Sequence, residues 1–123
     1  MNIYVMHSRS FDFQKELYEP IRKSDFNNKH SIILPHEHSS KGVKSKDYLK
    51  NICELVIAEV SYPSIGLGIE LGWADQYRVP IVCIYKNGLN YSDALKSVSD
   101  SFFDYSNDKE LVSIIEKIIC KTE

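Results

Sequence analysis

Long apolar runs are missing from this 123-residue chain, and none approaches the ~18 residues that a membrane-spanning helix needs. Its first residues enter a strand pattern at once, without a basic stretch followed by an apolar one, so no secretory signal is expected. A large excess of charge is missing as well. Fifteen basic and 17 acidic residues leave a formal net charge of −2. That is too little basic surface for a nucleic-acid face, though it leaves room for a local anion pocket. Cysteine is scarce. Cys53, Cys83 and Cys120 are odd in number, isolated and never spaced C-x-x-C. They read as buried free thiols of a cytoplasmic protein rather than as a disulfide framework. Internal repeats, low-complexity tracts and linkers are absent too.

What is present is a core-forming composition, 43% hydrophobic, over a length that suits one domain spanning residues 1–123. Five apolar runs alternate with helical patterns. Strands are expected at Asn2–Met6, Ser31–Leu34, Leu55–Val60, Val79–Tyr85 and Ser101–Tyr105. Phe13, Leu17 and Ile21 repeat every four residues and predict a helix. Pro20 must kink or split it, because proline cannot donate a hydrogen bond to the Glu16 carbonyl. Further helices are expected at Asp47–Cys53, Leu67–Gln76, Ser92–Val98 and Asp108–Cys120, with a polar loop at 35–46. Such alternation predicts an α/β three-layer sandwich, a flavodoxin-like parallel sheet of order 2-1-3-4-5. Ligands of such sheets bind beyond the carboxyl ends of the strands, where the order reverses between the first and third. The loop at 7–12 and the turn at 61–68 should therefore share one crevice.

That turn, Ser61-Tyr62-Pro63-Ser64-Ile65-Gly66-Leu67-Gly68, follows a buried strand and precedes a helix. Gly66 and Gly68 would let backbone N–H groups approach an anion, and Ser64 would add a hydroxyl. The bland reading is a tight connection that only packs well. Glu70 is expected in the first helical turn, turned back toward the crevice among apolar neighbours. It serves either as a nucleophile for sugar C1 chemistry or as a partner of the helix dipole. Glu59, inside an apolar strand, must be paired or lie at the open edge. It could contact a sugar hydroxyl or pair with Arg9 or a histidine. Asp47 is read either as a helix cap or as a carboxyl group that assists a departing base. Ser8, Arg9 and Ser10 follow the first strand and suit either a phosphate or a solvated loop. Tyr4 alternates with core residues and is expected either in the core or at the crevice mouth, and Trp73 suits helix packing or an interface. His36-Glu37-His38 offers two histidines, with no third ligand at a convincing spacing. No metal or organic cofactor is expected.

The pattern A-E-V-S-x-P-S-x-G-x-G-x-E-L-G within Val56–Ala74 resembles the nucleoside 2-deoxyribosyltransferase superfamily. Within it the chain is most similar to the deoxynucleoside 5′-monophosphate N-glycosidases. Tyr4-Val5-Met6, Ser8, Leu17-Tyr18-Glu19, the Cys83 strand, Ser92 and Phe103-Asp104-Tyr105 also have counterparts. The resemblance implies Glu70 as the nucleophile that attacks C1′ and Asp47 as the acid for the leaving base. It also implies Tyr4 and Glu59 at the sugar and Ser64 at the 5′-phosphate. Ser92 would reach a neighbouring subunit's site in a homodimer. The implied partner is a small nucleoside or nucleotide, with no nucleic acid and no membrane. Three departures are visible. The family's Gly-Ser with an arginine two residues on is His7-Ser8-Arg9-Ser10 here. Asp47 stands one residue closer to the third strand, and the loop before it is shorter. The competing readings are a nucleotide- or ADP-ribose-binding module of the same fold and a cytokinin-type phosphoribohydrolase. A signalling receiver domain fits less well, since acidic residues do not follow the first strand.

Overall fold

The computed structural model describes residues 1–37 and 45–123. Among these, five strands form one parallel sheet: β1 (Asn2–His7), β2 (Ser31–Ile33), β3 (Leu55–Glu59), β4 (Ile81–Lys86) and β5 (Phe102–Tyr105). The order is β2-β1-β3-β4-β5, as the alternation of elements predicts. Strand β1 is central and apolar on both faces. Ile3 and Val5 enter one core and Tyr4 and Met6 the other, as the two-residue period of a strand requires.

Helices α1 (Glu19–Lys23) and α4 (Asp108–Thr122) cover the first face, packed against one another. Helix α4 contributes Leu111, Ile115, Ile118 and Ile119 to a core with Ile57 and Ile84. It begins where the Asn107 side chain accepts the Glu110 N–H. Helices α2 (Ser45–Asn51) and α3 (Ile65–Gln76) cover the second face. There Leu49, Leu67, Leu71 and Ala74 meet Val56, Ala58 and Cys83.

Three boundaries have local causes, the first as expected and the other two departing from expectation. The helix with the Phe13-Leu17-Ile21 repeat is divided as Pro20 demands. A wide π turn at Gln14–Tyr18 closes with Glu19 N–H on the Gln14 carbonyl, and α1 restarts with Pro20 in its first turn. Strand β4 begins at Ile81 rather than Val79, because Pro80 cannot donate to the ladder. Helix α3 starts at Ile65, two residues early, because the Ser64 hydroxyl accepts the Leu67 N–H and caps it there. Gly66 and Gly68 are therefore helical, and Glu70 sits in the second turn of α3. Of the cysteines, Cys83 is buried, Cys53 half-buried and Cys120 exposed, all three free.

Truncating Leu111, which is fully buried between α4 and the sheet, should cost about 2–5 kcal/mol of stability. Urea unfolding of Leu111→Ala measures it, and a loss under about 0.5 kcal/mol would contradict this placement in the core.

Candidate active site

Both β1 and β3 end at the same level, with His7 paired to Glu59. The segments that follow them diverge from this point and enclose a cavity of about 730 Å³. Its walls come from the end of β1 and the next loop (Tyr4, His7, Ser8, Arg9, Ser10) and from the turn and helix after β3 (Ser64, Gly66, Glu70, Trp73). Pro35 and His36 after β2, with Ser45 at the start of α2, complete it.

At one end of the cavity a carboxylate is held in place. The buried Tyr4 phenol donates to Glu70 Oε2 at 2.8 Å. Its oxygen lies 2.8 Å from Ser45 Oγ. A phenol has one proton, so Ser45 donates to Tyr4, and the hydrogen bonds run from Ser45 through Tyr4 to Glu70. Burial, with the Glu70 charge beside it, raises the Tyr4 phenol well above its ordinary range, so it remains a donor. Glu70 reaches back into the cavity from the second turn because helical side chains lean toward the N-terminus. Lys46 Nζ lies 5.6 Å from the Trp73 ring, over the cavity wall.

Hydroxyls, Arg9 and two imidazoles supply the rest of the polar lining. Ser8 Oγ is 2.8 Å from Ser10 Oγ and accepts the Ser10 N–H. His7, beneath them, lies 2.7 Å through Nδ1 from the Ser8 carbonyl and 2.5 Å through Nε2 from the Tyr18 hydroxyl. A carbonyl can only accept, so Nδ1 carries the proton and Tyr18 donates to Nε2. Tyr18 accepts the His36 N–H in turn at 3.1 Å. Burial, then the charges of His36 and Arg9, push the His7 imidazole down to about 4, against the bond to Ser8. The His36 ring is lowered too, by burial and by Arg9.

Glu59 stands apart from this group. It is 1% exposed and does not line the cavity. It accepts the Ser61 N–H at 2.6 Å, the Ser61 hydroxyl at 3.0 Å and the Tyr105 hydroxyl. Burial raises its carboxyl group above the usual range, while Tyr105 and Ser61 oppose the shift. The expected sugar contact is thus replaced by an internal anchor, because three donors already occupy this carboxylate.

The structure brings Tyr4, Ser8, Arg9, Ser64, Gly66 and Glu70 together around the cavity. It does not bring Asp47 there. Asp47 is exposed on α2, two residues beyond Ser45. Gly68 and Ser92 line a second cavity of about 530 Å³ between α3 and the segment at 90–98. The short helix there is a 3₁₀ turn, Asp93–Ser97, capped by the exposed Ser92. The sequence carries no local signal for Ser45 or Tyr18, and it offers His36 only as a metal ligand. Its position just past β2, on the carboxyl side of the sheet, is the signal that could have found it. His38 lies outside the described residues, and Glu37 is taken by Arg22 at 2.8 Å. No group of three metal-ligating side chains occurs among the described residues, and no described helix is long and apolar enough to cross a membrane.

No protein-family model matches the sequence. A 35-residue segment is 46% identical to the protein named "Putative 2'-deoxynucleoside 5'-phosphate N-hydrolase 1" of Syntrophotalea carbinolica. The match covers 28% of this chain and 25% of that relative. The whole fold is similar to that of the CMP N-glycosidase BcmB of Clostridium botulinum. That likeness has a TM-score of 0.65 and 23% identity, over 94% of this chain and 99% of the other. The likeness to the first lies in a segment of sequence and the likeness to the second in the fold.

His7 makes the site acid-sensitive. Its folded pKa lies below the ordinary 6.5, so the unfolded chain takes up the proton first as pH falls. The stability this group contributes is complete above about 6.5 and declines as pH drops toward 4, by on the order of 3 kcal/mol. Melting temperatures from pH 7 to 4 should fall more steeply for the parent chain than for His7→Gln. Equal slopes would show that His7 is not held neutral.

Proposed function

We propose that this chain cleaves the N-glycosidic bond of nucleosides or their 5′-monophosphates, with Glu70 as nucleophile and a glycosyl-enzyme intermediate. The observation that carries the reading is the Glu70 carboxylate. It lies in a switch-point cavity, one oxygen fixed by Tyr4 at 2.8 Å, whose lining also holds Ser8, Arg9, Ser10 and Ser64. A monophosphate needs that combination of anion-holding groups and a carboxylate for C1′ within one cavity. The names of the two similar proteins, a nucleotide N-hydrolase and a CMP N-glycosidase, lie in the same reaction class.

In this mechanism Tyr4 occupies Oε2 and attack falls to Oε1. The C1′–N bond breaks as the new C1′–O bond forms, and the electron pair leaves with the base. The base nitrogen takes its proton from solvent, since Asp47, the residue the sequence offers for this step, lies on α2 outside the cavity lining. Water then attacks C1′ and releases Glu70, unless a second base takes its place and the outcome is transfer. We further propose a homodimer in which the exposed Ser92 reaches the neighbouring site. A nucleotide- or ADP-ribose-binding module is the competing reading, and the exposed position of Asp47 is what favours it.

Incubation with a panel of nucleosides, deoxynucleosides and their 5′-monophosphates, followed by chromatography, should reveal free base from one class. Glu70→Gln should lower the rate by roughly 10³-fold or more. Mass spectrometry of acid-quenched parent enzyme should place a sugar adduct on the α3 peptide. Unchanged base release by Glu70→Gln would remove the nucleophile assignment, and no release from any substrate would favour the binding module.

A further inference from the structure

The two loops of the crevice leave the paired ends of β1 and β3, and beyond that ladder one side chain outside the cavity contacts both. Lys86 ends β4. Its ammonium donates to Glu16 Oε1 at 2.6 Å and to the Tyr62 hydroxyl at 3.1 Å. It also lies 4.9 Å from the Phe11 ring centre and 5.1 Å from that of Tyr62, within cation–π range of both. The two rings stack on one another, centres 5.1 Å apart and planes 29° from parallel. Phe11 directly follows Ser8–Ser10, and Tyr62 directly precedes Pro63-Ser64. The Lys86 backbone N–H donates to Ser61 Oγ at 2.7 Å, and Ser61 donates that hydroxyl proton to Glu59. Lys86 is thus built into the strand end by its backbone and into both loops by its side chain.

We propose that Lys86 is a positioning residue. It sets the distance between the Ser8–Ser10 loop and the Ser64 turn, and hence the span of the cavity, without touching what binds there. Its charge is what holds the arrangement, because Glu16 and the faces of two aromatic rings all present negative potential to it. The Lys86 side chain is 24% exposed and that of Glu16 42%, so salt screens the ion pair in part while the two rings cover its other side. For substrate handling the inference rests on the nucleotide reading above. The coupling of the loops does not.

Hydrogen exchange followed by mass spectrometry tests the coupling without any substrate. In Lys86→Met, exchange should quicken by roughly tenfold in both the 8–16 and the 61–64 segments. Lys86→Arg should retain the parent rates. Glu16→Gln keeps Lys86 and alters one side only, and it should still quicken exchange at 61–64. Faster exchange confined to 8–16 in Glu16→Gln, or no change in either segment of a folded Lys86→Met, would overturn the proposal. Should Lys86→Met fail to fold, Glu16→Gln decides alone. With an active substrate in hand, Lys86→Met should raise KM about tenfold and leave kcat within a factor of about three. A loss confined to kcat would overturn the positioning role. If the parent enzyme turns over nothing, the glycosidase reading fails while the exchange experiment still decides the coupling.

Discussion

The carboxylate of Glu59 is the constraint around which the carboxyl edge of the sheet is arranged. An ionised group this deeply buried is tolerable only when donors replace the water it has lost. Here the donors come from Ser61 just beyond β3 and from Tyr105 at the end of β5. Ser61 in turn accepts the N–H of Lys86 at the end of β4. Satisfying one charge therefore fixes the ends of three strands relative to one another. It also fixes the direction in which the chain leaves β3 toward Ser64 and α3.

The site inherits its geometry from that arrangement. Ser64 caps α3 at a defined place, so Glu70 falls one and a half turns later and meets Tyr4 across the second core face. On the other side of the crevice, His7 pairs with Glu59 across β1 and β3, and its Nδ1–H bond to the Ser8 carbonyl directs the loop that carries Arg9. Two buried polar networks, one ending at Glu59 and one at His7, leave adjacent strand ends and support opposite walls of the cavity.

Sheet order, strand identities and the convergence of the 7–12 and 61–68 segments were legible in the sequence. They follow from periodicity and from topology, which short local patterns encode. Glu70 was legible for the same reason, as a carboxylate at a fixed offset from a strand and a turn. Glu59 was not, because an isolated acid in an apolar strand looks alike whether it meets a ligand or a tyrosine 46 residues away. The start of α3 was missed because glycines suggested a loop where the Ser64 cap prevailed. His36, Ser45 and Lys86 escaped notice because their importance lies in partners distant in sequence, Tyr18, Tyr4 and Glu16, which no local pattern reports.

Helix α3 carries Gly68 and Gly72 within its length, and among the described residues a methyl group at either would meet nothing within 4 Å beyond its chain neighbours and the helix's own backbone. Glycine inside a helix costs about 1 kcal/mol relative to alanine at each position. The packing of this chain therefore does not require that bareness, and the helix is roughly 2 kcal/mol less stable than its surroundings would permit. What the two glycines leave behind is a smooth strip of exposed backbone along one side of α3, where the helix offers peptide groups in place of side chains.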